Sequence, residues 1–144
     1  MAESSPRHSV SVAAAIVDES GQLLAVRRRD NGHWEPPGGI LELHETIPAG
    51  LVREVREETG LEVEPQALSG VYKNMRRGIV ALVFRCRIIG GEPRPTREAE
   101  QVSWLSPDEV RDLMDEAYAT RLLDALQPGP AAIRAHDGLS LLPI

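Results

Sequence analysis

The stretch GILELHETIPAGLVREVREETGL, residues 39–61, decides the fold, because it carries the clearest helix signals of the chain. Thr46 can cap a helix, Pro48 falls in its first turn, where a missing N–H does no harm, and Gly60 can end it. Aliphatic residues recur at helical spacing between these bounds, namely Leu51, Val52 and Val55. The sequence therefore predicts an amphipathic helix between two loops.

Three glutamates of this helix are expected to project from one face. Glu54, Glu57 and Glu58 stand at positions i, i+3 and i+4. Their charges repel one another, which is understandable if a cation lies above them, and carboxylates at this density suit Mg²⁺ or Mn²⁺. They could instead form a solvated acidic face that Arg53 and Arg56 partly balance. The helix by itself leaves both interpretations open.

The wider spacing resembles the signature of the Nudix hydrolase family. The defined positions follow the pattern G-x5-E-x7-R-E-U-x-E-E-x-G-U, with U aliphatic, and are Gly39, Glu45, Arg53, Glu54, Val55, Glu57, Glu58, Gly60 and Leu61. So many positions in fixed register rarely match by chance, which favours the metal site over a solvated face. Residues 34–39 resemble the W-x-x-P-G-G segment that precedes this signature, and the resemblance covers most of residues 9–126.

This resemblance implies an α/β fold, namely a Nudix-type α/β/α sandwich with a mixed sheet and a loop–helix–loop catalytic motif. Residues 1–128 would form the Nudix hydrolase domain, and residues 129–144 a C-terminal tail that could fold into a small hairpin around Asp137-Gly138. The implied reaction is metal-dependent hydrolysis of the phosphoanhydride bond of a nucleoside diphosphate linked to another moiety. A nucleoside triphosphate, an oxidised nucleotide and a nucleotide sugar all meet this description.

The resemblance also assigns roles at the site. The metal ligands would be Glu54, Glu57 and Glu58 with the backbone carbonyl of Gly38, and Glu98 or Glu100 would be a rival or additional ligand. Either Glu54 or Glu57 would be the general base. The structural residues of the motif would be Gly39, Glu45, Arg53 and Gly60. Among these, Arg53 is expected to pair with Glu45 and hold the loop against the helix.

Substrate contacts are expected from basic and aromatic residues outside the helix. Arg27 ends a strand that should run beside the catalytic loop, so it is the first candidate for a phosphate contact, with Arg28 and Arg29 as alternatives. The candidate base-stacking platforms are Trp34, Tyr72 and Phe84, although Phe84 is more simply interpreted as core.

Alternating and turn-forming residues predict the remaining elements. Strands are expected at residues 9–17 and 22–29, paired as an antiparallel hairpin, and at 67–74, 78–89 and 101–105. Ser106 should cap a further helix that runs, with a break, to about residue 126. Several connections are short turns, so the sheet should be mixed and not purely parallel.

Composition restricts the class of protein. The formal net charge of −6 argues against a nucleic acid partner, and no apolar stretch is long enough to span a membrane. Residues 1–8 lack the apolar segment of a signal peptide, which predicts a cytoplasmic protein. Cys86 is the single cysteine, so it forms no internal disulfide and is interpreted as a small buried hydrophobe. The resemblance also allows a homodimer.

Two alternatives to a hydrolase have the same fold. One is a module that senses a nucleotide without cleaving it, but such a module would not need three mutually repelling carboxylates. The other is a diphosphate isomerase, which needs a suitably placed cysteine and is poorly supported by Cys86. Gly50 departs from the alanine usual in the family, and its cost of about 1 kcal/mol inside a helix predicts close approach of another backbone. No subfamily marker identifies the substrate.

Overall fold

The computed structural model describes residues 5–144, and these contain two β-sheets and three α-helices. In chain order the elements are β1 (Ser9–Ile16), β2 (Leu23–Arg28), β3 (Trp34–Glu35), β4 (Gly38–Ile40), α1 (Ile47–Thr59), β5 (Leu61–Asn74), β6 (Ile79–Gly91), β7 (Ala99–Leu105), α2 (Pro107–Leu113), α3 (Glu116–Asp124), β8 (Ala132–His136) and β9 (Leu141–Leu142). Residues 1–4, which are half of the segment predicted not to be a signal peptide, lie outside the described residues.

The larger sheet is mixed. Its strand order is β4-β1-β6-β5-β8-β9, and the smaller sheet has the order β3-β2-β7. β1 runs parallel to β6 and β5 runs parallel to β8, whereas the other neighbours are antiparallel. The prediction of a mixed sheet is confirmed.

Helices pack on two sides of the sheets. Side chains alternate along a strand, and in β1 Ala13 belongs to the hydrophobic cluster that contains Val110 of α2 and Leu122 of α3. The next side chain back, that of Val12, belongs to a second cluster that contains Leu51 of α1. The expected α/β/α sandwich is therefore confirmed, and α1 lies on the opposite side from α2 and α3.

The predicted hairpin of residues 9–17 and 22–29 is wrong. β1 pairs with β4 and β6, β2 pairs with β3 and β7, and a single bridge between Val17 and Leu23 joins the two strands. Both strands contain runs of consecutive buried residues. Strands buried on both faces lie in the interior of a sheet, and here each strand has a neighbour on both sides within its own sheet.

The signals at the ends of α1 act as predicted. The Thr46 hydroxyl accepts a hydrogen bond from the backbone N–H of Ala49 at 3.3 Å, and Gly60 ends the helix in the left-handed conformation, with φ +80°. The second predicted helix is broken as expected, into α2 and α3. Ser106 forms a capping box with Glu109 at the start of α2. These local signals determined the helix ends.

Residues 129–144 extend the larger sheet. β8 adds parallel to β5, and β9 pairs antiparallel with β8, so the tail contains the hairpin that its turn residues predicted. The division of the chain at residue 128 stays a prediction. Cys86 is buried, and burial raises the pKa of its thiol to about 12, which agrees with a hydrophobic role. Within residues 5–144, none of the helices has the length and apolar character needed to cross a membrane.

His136 on β8 is expected to make stability depend on pH. Its side chain is 0% exposed, and burial, together with nearby Arg121, lowers its pKa below the ordinary value of 6.5. The unfolded chain therefore takes up a proton on this ring at a higher pH than the folded protein does. As pH falls below about 6.5, the contribution of the neutral ring to stability should be progressively lost.

The measurement is the free energy of unfolding by urea at about pH 7.5 and about pH 5.5. The wild-type protein should lose more stability on acidification than the His136→Gln variant, with a difference in slope approaching about 1.4 kcal/mol per pH unit. Other titrating groups contribute equally to both proteins, so the difference isolates His136. Equal slopes for the two proteins would contradict the assignment.

Candidate active site

The glutamate face of α1 borders a cavity of about 610 Å³. Its lining combines carboxylates, glycine backbone and guanidinium groups, namely Glu54, Glu58, Glu98, Gly38, Gly39, Ile40, Arg28, Arg29, Arg97 and Asp30. The short strand β4 forms one edge because it pairs with β1 next to α1. A cavity with acids on one side and arginines on another can hold a phosphate group together with a cation.

Glu58 is the most buried of the three helix glutamates. It is 5% exposed, and one carboxylate oxygen accepts a hydrogen bond from the backbone N–H of Gly38 at 2.6 Å. Burial, together with the neighbouring carboxylates of Glu54 and Glu98, raises the pKa of Glu58 to about 8. Carboxylates are therefore crowded where water does not screen them, and a cation bound there would favour their charged forms.

Glu54 lies directly against the backbone of Gly39. Its residue is 8% exposed, and burial raises the pKa of its carboxyl group, while Arg53 opposes the rise. A Cβ atom added at Gly39 would overlap the carboxylate, at 2.8 Å from Oε1 and closer to Oε2. The loop can approach the carboxylate this closely only because residue 39 has no side chain.

Arg53 links the loop to the helix, as predicted. Its Nε and Nη2 atoms donate to the two carboxylate oxygens of Glu45 at 2.8 and 2.5 Å. This pairing lowers the pKa of Glu45 to about 2. The third nitrogen, Nη1, lies 2.8 Å from Glu54 Oε1 and 3.2 Å from Glu57 Oε2. Arg53 therefore supports the loop and at the same time neutralises two of the proposed metal ligands.

The donors present fit a hard divalent cation. Carboxylate oxygens are the ligands that Mg²⁺ and Mn²⁺ prefer, and Glu54 and Glu58 are nearly inaccessible to water in the same cavity. Among residues 5–144, no three acidic, histidine or cysteine side chains already converge as a metal site. Arg53 offers a physical reason why the carboxylates do not converge. Its guanidinium lies between Glu54 and Glu57 and neutralises the charges that a bound cation would otherwise neutralise.

The structure separates the two loop acids that were predicted together. Glu98 lines the cavity, and its charge acts on Glu54 and Glu58. Glu100 is not among the lining residues and lies 3.3 Å from Arg27. Residues two apart on a strand normally share a face, but Glu98 precedes β7, which begins at Ala99. Glu98 is therefore the better placed of the two candidate ligands, and the metal role of each stays a prediction.

The arginines at the end of β2 are also separated. Arg27 donates from Nε to the carbonyl of Gly32 at 3.0 Å and lines neither large cavity, so its phosphate contact stays a prediction that the structure favours less than one from Arg28 or Arg29. Arg28 and Arg29 line the catalytic cavity. Arg28 pairs with Asp30 through two nitrogens, at 2.9 and 2.7 Å. The register shift between Arg27 and Arg28 decides which side chain faces the site, and sequence does not show it.

The predicted aromatic platforms lie away from the catalytic cavity. Tyr72 is 0% exposed, and its hydroxyl donates to Asp124 at 2.7 Å, so its ring cannot stack on a base and the prediction is wrong. Trp34 is partly buried against the same hydrophobic cluster and lines neither cavity. Phe84 packs against the other cluster, as its simpler interpretation predicted. These aromatic residues fill the hydrophobic core, because the chain has few other large rings to do so.

Two features of the site were missed or misread in the sequence. Arg97 lines the catalytic cavity beside Glu98, although it is an ordinary loop arginine with no signal that could have singled it out. At Gly50, an added Cβ would meet side chains, at 2.8 Å from Glu45 Oε1 and closer to Leu41 Cδ1. Gly50 therefore makes room for the Glu45 carboxylate, whereas the sequence predicted close approach of a backbone.

Comparison with known proteins identifies relatives over almost the whole chain. The family model described as NUDIX domain matches residues 7–126. A MutT-like protein of Streptomyces ambofaciens is 59% identical over 142 residues, which are 99% of this chain and 92% of that protein. An 8-oxo-dGDP phosphatase of Homo sapiens is 33% identical over 134 residues, which are 91% of this chain and 36% of that protein.

A solved structure has the same arrangement of elements. The crystal structure of an ADP-ribose pyrophosphatase from Streptococcus suis aligns with a TM-score of 0.74 and 27% sequence identity. The alignment covers 90% of this chain and 100% of that chain.

Proposed function

Given that the chain belongs to the Nudix family and is a Nudix-type pyrophosphohydrolase, we propose that it uses Mg²⁺ or Mn²⁺ to hydrolyse the phosphoanhydride bond of a nucleoside diphosphate linked to another moiety. The observation that carries this proposal is the pair of buried carboxylates, Glu54 and Glu58, in one cavity with Arg28 and Arg29. Relatives named for 8-oxo-dGDP and ADP-ribose support a nucleoside diphosphate core in the substrate.

The cation would be held by Glu54, Glu57 and Glu58, with Glu98 and the Gly38 carbonyl as further donors. When bound, such an ion neutralises the diphosphate, lowers the pKa of a coordinated water and stabilises the leaving phosphate. Glu58 is oriented for this task by the N–H of Gly38. Because Arg53 contacts both Glu54 and Glu57, we expect its Nη1 to leave at least one of them when the site is loaded.

The remaining steps belong to side chains of the chain itself. Arg28 and Arg29 offer N–H donors to the phosphate oxygens from the wall of the cavity. Glu54 or Glu57 accepts the proton of the attacking water. Glu57 is accessible for this role, with 48% of its side chain exposed. Glu54 is more desolvated, and the resulting rise in its pKa makes it the stronger base.

The test is incubation with nucleoside triphosphates, oxidised nucleotides, ADP-ribose and nucleotide sugars in the presence of Mg²⁺ or Mn²⁺. Products are separated, and isotopically labelled water identifies the phosphorus atom that is attacked. We expect hydrolysis of at least one compound at a phosphoanhydride bond, and no hydrolysis after chelation of the metal. Tight binding of one compound without turnover of any would replace the proposal with a nucleotide-sensing module.

We also propose a small nucleotide-type substrate, cytoplasmic residence and a homodimer as the assembly in solution. Light scattering of the purified protein measures its mass in solution, and the mass of a monomer would contradict the proposed homodimer.

A further inference from the structure

Arg121 on α3 is a buried cation without an acidic partner. The residue is 8% exposed, and its Nε has no hydrogen-bond partner among residues 5–144. The ion pairs found in that part of the chain do not include it. Taking a charge out of water without pairing it costs several kcal/mol. A residue of this kind calls for an explanation other than stability.

The one polar contact that Arg121 makes within residues 5–144, with His136, leaves a donor without an acceptor. Its Nη2 lies 3.2 Å from His136 Nε2, while His136 Nδ1 is 3.0 Å from the backbone N–H of Gly138. A neutral imidazole has one acceptor nitrogen, so it cannot accept from both N–H groups. Whichever tautomer is present, either the guanidinium or the Gly138 N–H lacks an acceptor. His136 therefore does not complete the hydrogen bonding of Arg121.

Aromatic rings hold the guanidinium in a defined orientation. Its central carbon lies over the ring of Tyr118, at 4.7 Å from the centroid, and over that of Tyr72, at 5.5 Å. Cation–π contacts of this kind offset part of the desolvation. The N–H groups of a guanidinium lie in its plane, so the hydrogen-bonding capacity that His136 leaves unused lies along the N–H edge.

Arg121 lines a second cavity, which adjoins the cavity beside α1. The cavity has a volume of about 680 Å³, enough for a nucleoside. It shares five lining residues with the catalytic cavity, namely Arg28, Asp30, Gly38, Gly39 and Ile40. A substrate whose diphosphate lies against the glutamates of α1 can therefore extend its attached group toward Arg121.

The second cavity offers both donors and acceptors to a ligand. Its lining contains four carboxylates, Asp30, Glu35, Asp115 and Asp137, and four arginines, Arg28, Arg76, Arg77 and Arg121. Glu35 is also the carboxylate whose charge acts on Arg121. A ligand that offers adjacent acceptors to the guanidinium edge and N–H donors to the nearby acids satisfies both kinds of group.

A guanine-type base has this arrangement of donors and acceptors. Its O6 and N7 atoms form a pair of adjacent acceptors that matches the fork of an arginine, and its N1 and N2 groups donate. Adenine places an amino donor beside N7, which would set donor against donor at Arg121. We propose that Arg121 reads the acceptor edge of a guanine-type base in this cavity, and so sets the base preference of the enzyme. This inference rests on the proposed function.

The test compares binding of GMP and AMP, which contain no phosphoanhydride bond and so can be titrated in the presence of Mg²⁺ without turnover. By calorimetry, the wild-type protein should bind GMP about tenfold or more tighter than AMP, as expected for one bidentate contact. The Arg121→Met variant keeps an unbranched side chain between the two tyrosines and should bind both nucleotides with similar affinity. Arg121→Lys should retain less preference than wild type.

A stability measurement separates a reading role from a structural one. Because Arg121→Met removes an unpaired buried charge, its Tm should equal or exceed that of the wild type. The matched control is Arg134→Met, which breaks the bidentate pair of Arg134 with Asp124, at 2.7 Å for both contacts. This control should lower Tm and leave the preference for GMP unchanged.

Three results would overturn the inference: AMP bound as tightly as GMP by the wild type, a GMP preference that survives Arg121→Met, or a fall in Tm of Arg121→Met as large as that of the control. Failure of the proposed function has a different signature. It would appear as absence of hydrolysis of any compound in the substrate panel while the Arg121-dependent preference for GMP persists.

Discussion

Replacement of Glu57 by glutamine is expected to lower kcat by about 10³-fold, because it removes a carboxylate that serves as metal ligand or as general base. The fold should be unaffected. About half of the Glu57 side chain is exposed, 48%, and its polar contact in the structure is with Arg53 at 3.2 Å. Glutamine keeps the volume and can still accept a hydrogen bond from that arginine, so Tm should change little.

Comparison with Glu54→Gln distinguishes the two roles. A variant that lacks a ligand should need more Mg²⁺ for half-maximal rate and recover part of its activity at saturating metal. A variant that lacks the base should show an unchanged Mg²⁺ requirement and a low kcat at every metal concentration. Glu64→Gln is the matched control, since Glu64 is an exposed strand glutamate that pairs with Arg87 at 3.0 Å outside the site. Full activity of Glu57→Gln would show that the site assignment is wrong.

Replacement of Gly38 by alanine is expected to destabilise the protein by about 3 kcal/mol and to lower activity by at least about 10²-fold. The added Cβ would overlap the backbone of β1, at 2.7 Å from Ala13 Cα and closer to the carbonyl oxygen of Val12. No flexible side chain can move to make room, so β4 has to shift away from β1. That shift also removes the N–H donor that Gly38 directs at the buried carboxylate of Glu58.

The free energy of unfolding by urea and the kcat at saturating Mg²⁺ measure the two parts of this prediction. Gly90→Ala provides a control on another strand, because its added Cβ would lie at an ordinary 3.6 Å from Glu62 Cβ. The control should stay within about 0.5 kcal/mol of the wild type. A Gly38→Ala protein with wild-type stability and rate would mean that the β1–β4 contact is looser than the structure indicates.

The helix at the centre of the site was predictable from sequence because its signals are local. Thr46 and Gly60 fix the ends of α1 through contacts within a few residues. The helical repeat alone places Glu54, Glu57 and Glu58 on one face. The pairing of Arg53 with Glu45 was predicted through the family resemblance, and it spans only eight residues. For such features, the spacing along the chain determines the distance in space.

Sequence reasoning failed where neighbours in the sheet decide the outcome. The residues of β1 and β2 would suit a hairpin as well as they suit two separate sheets. Burial on both faces places the two strands in different sheets. The aromatic ring of Tyr72 suggested a base-stacking platform. The ring is buried instead, and its hydroxyl donates to Asp124, which lies 52 residues away in the chain.

The sequence by itself determined the catalytic helix, its three carboxylates and the class of reaction, since all of these follow from helical periodicity and one short motif. Only the tertiary structure decided which side chains line the cavity beside that helix. Arg28 and Glu98 line it and Arg27 and Glu100 do not, which follows from a register shift in β2 and the start of β7. It also buries Arg121 without a partner beside a second cavity. These outcomes depend on strand register and long-range packing, which no local pattern of residues encodes.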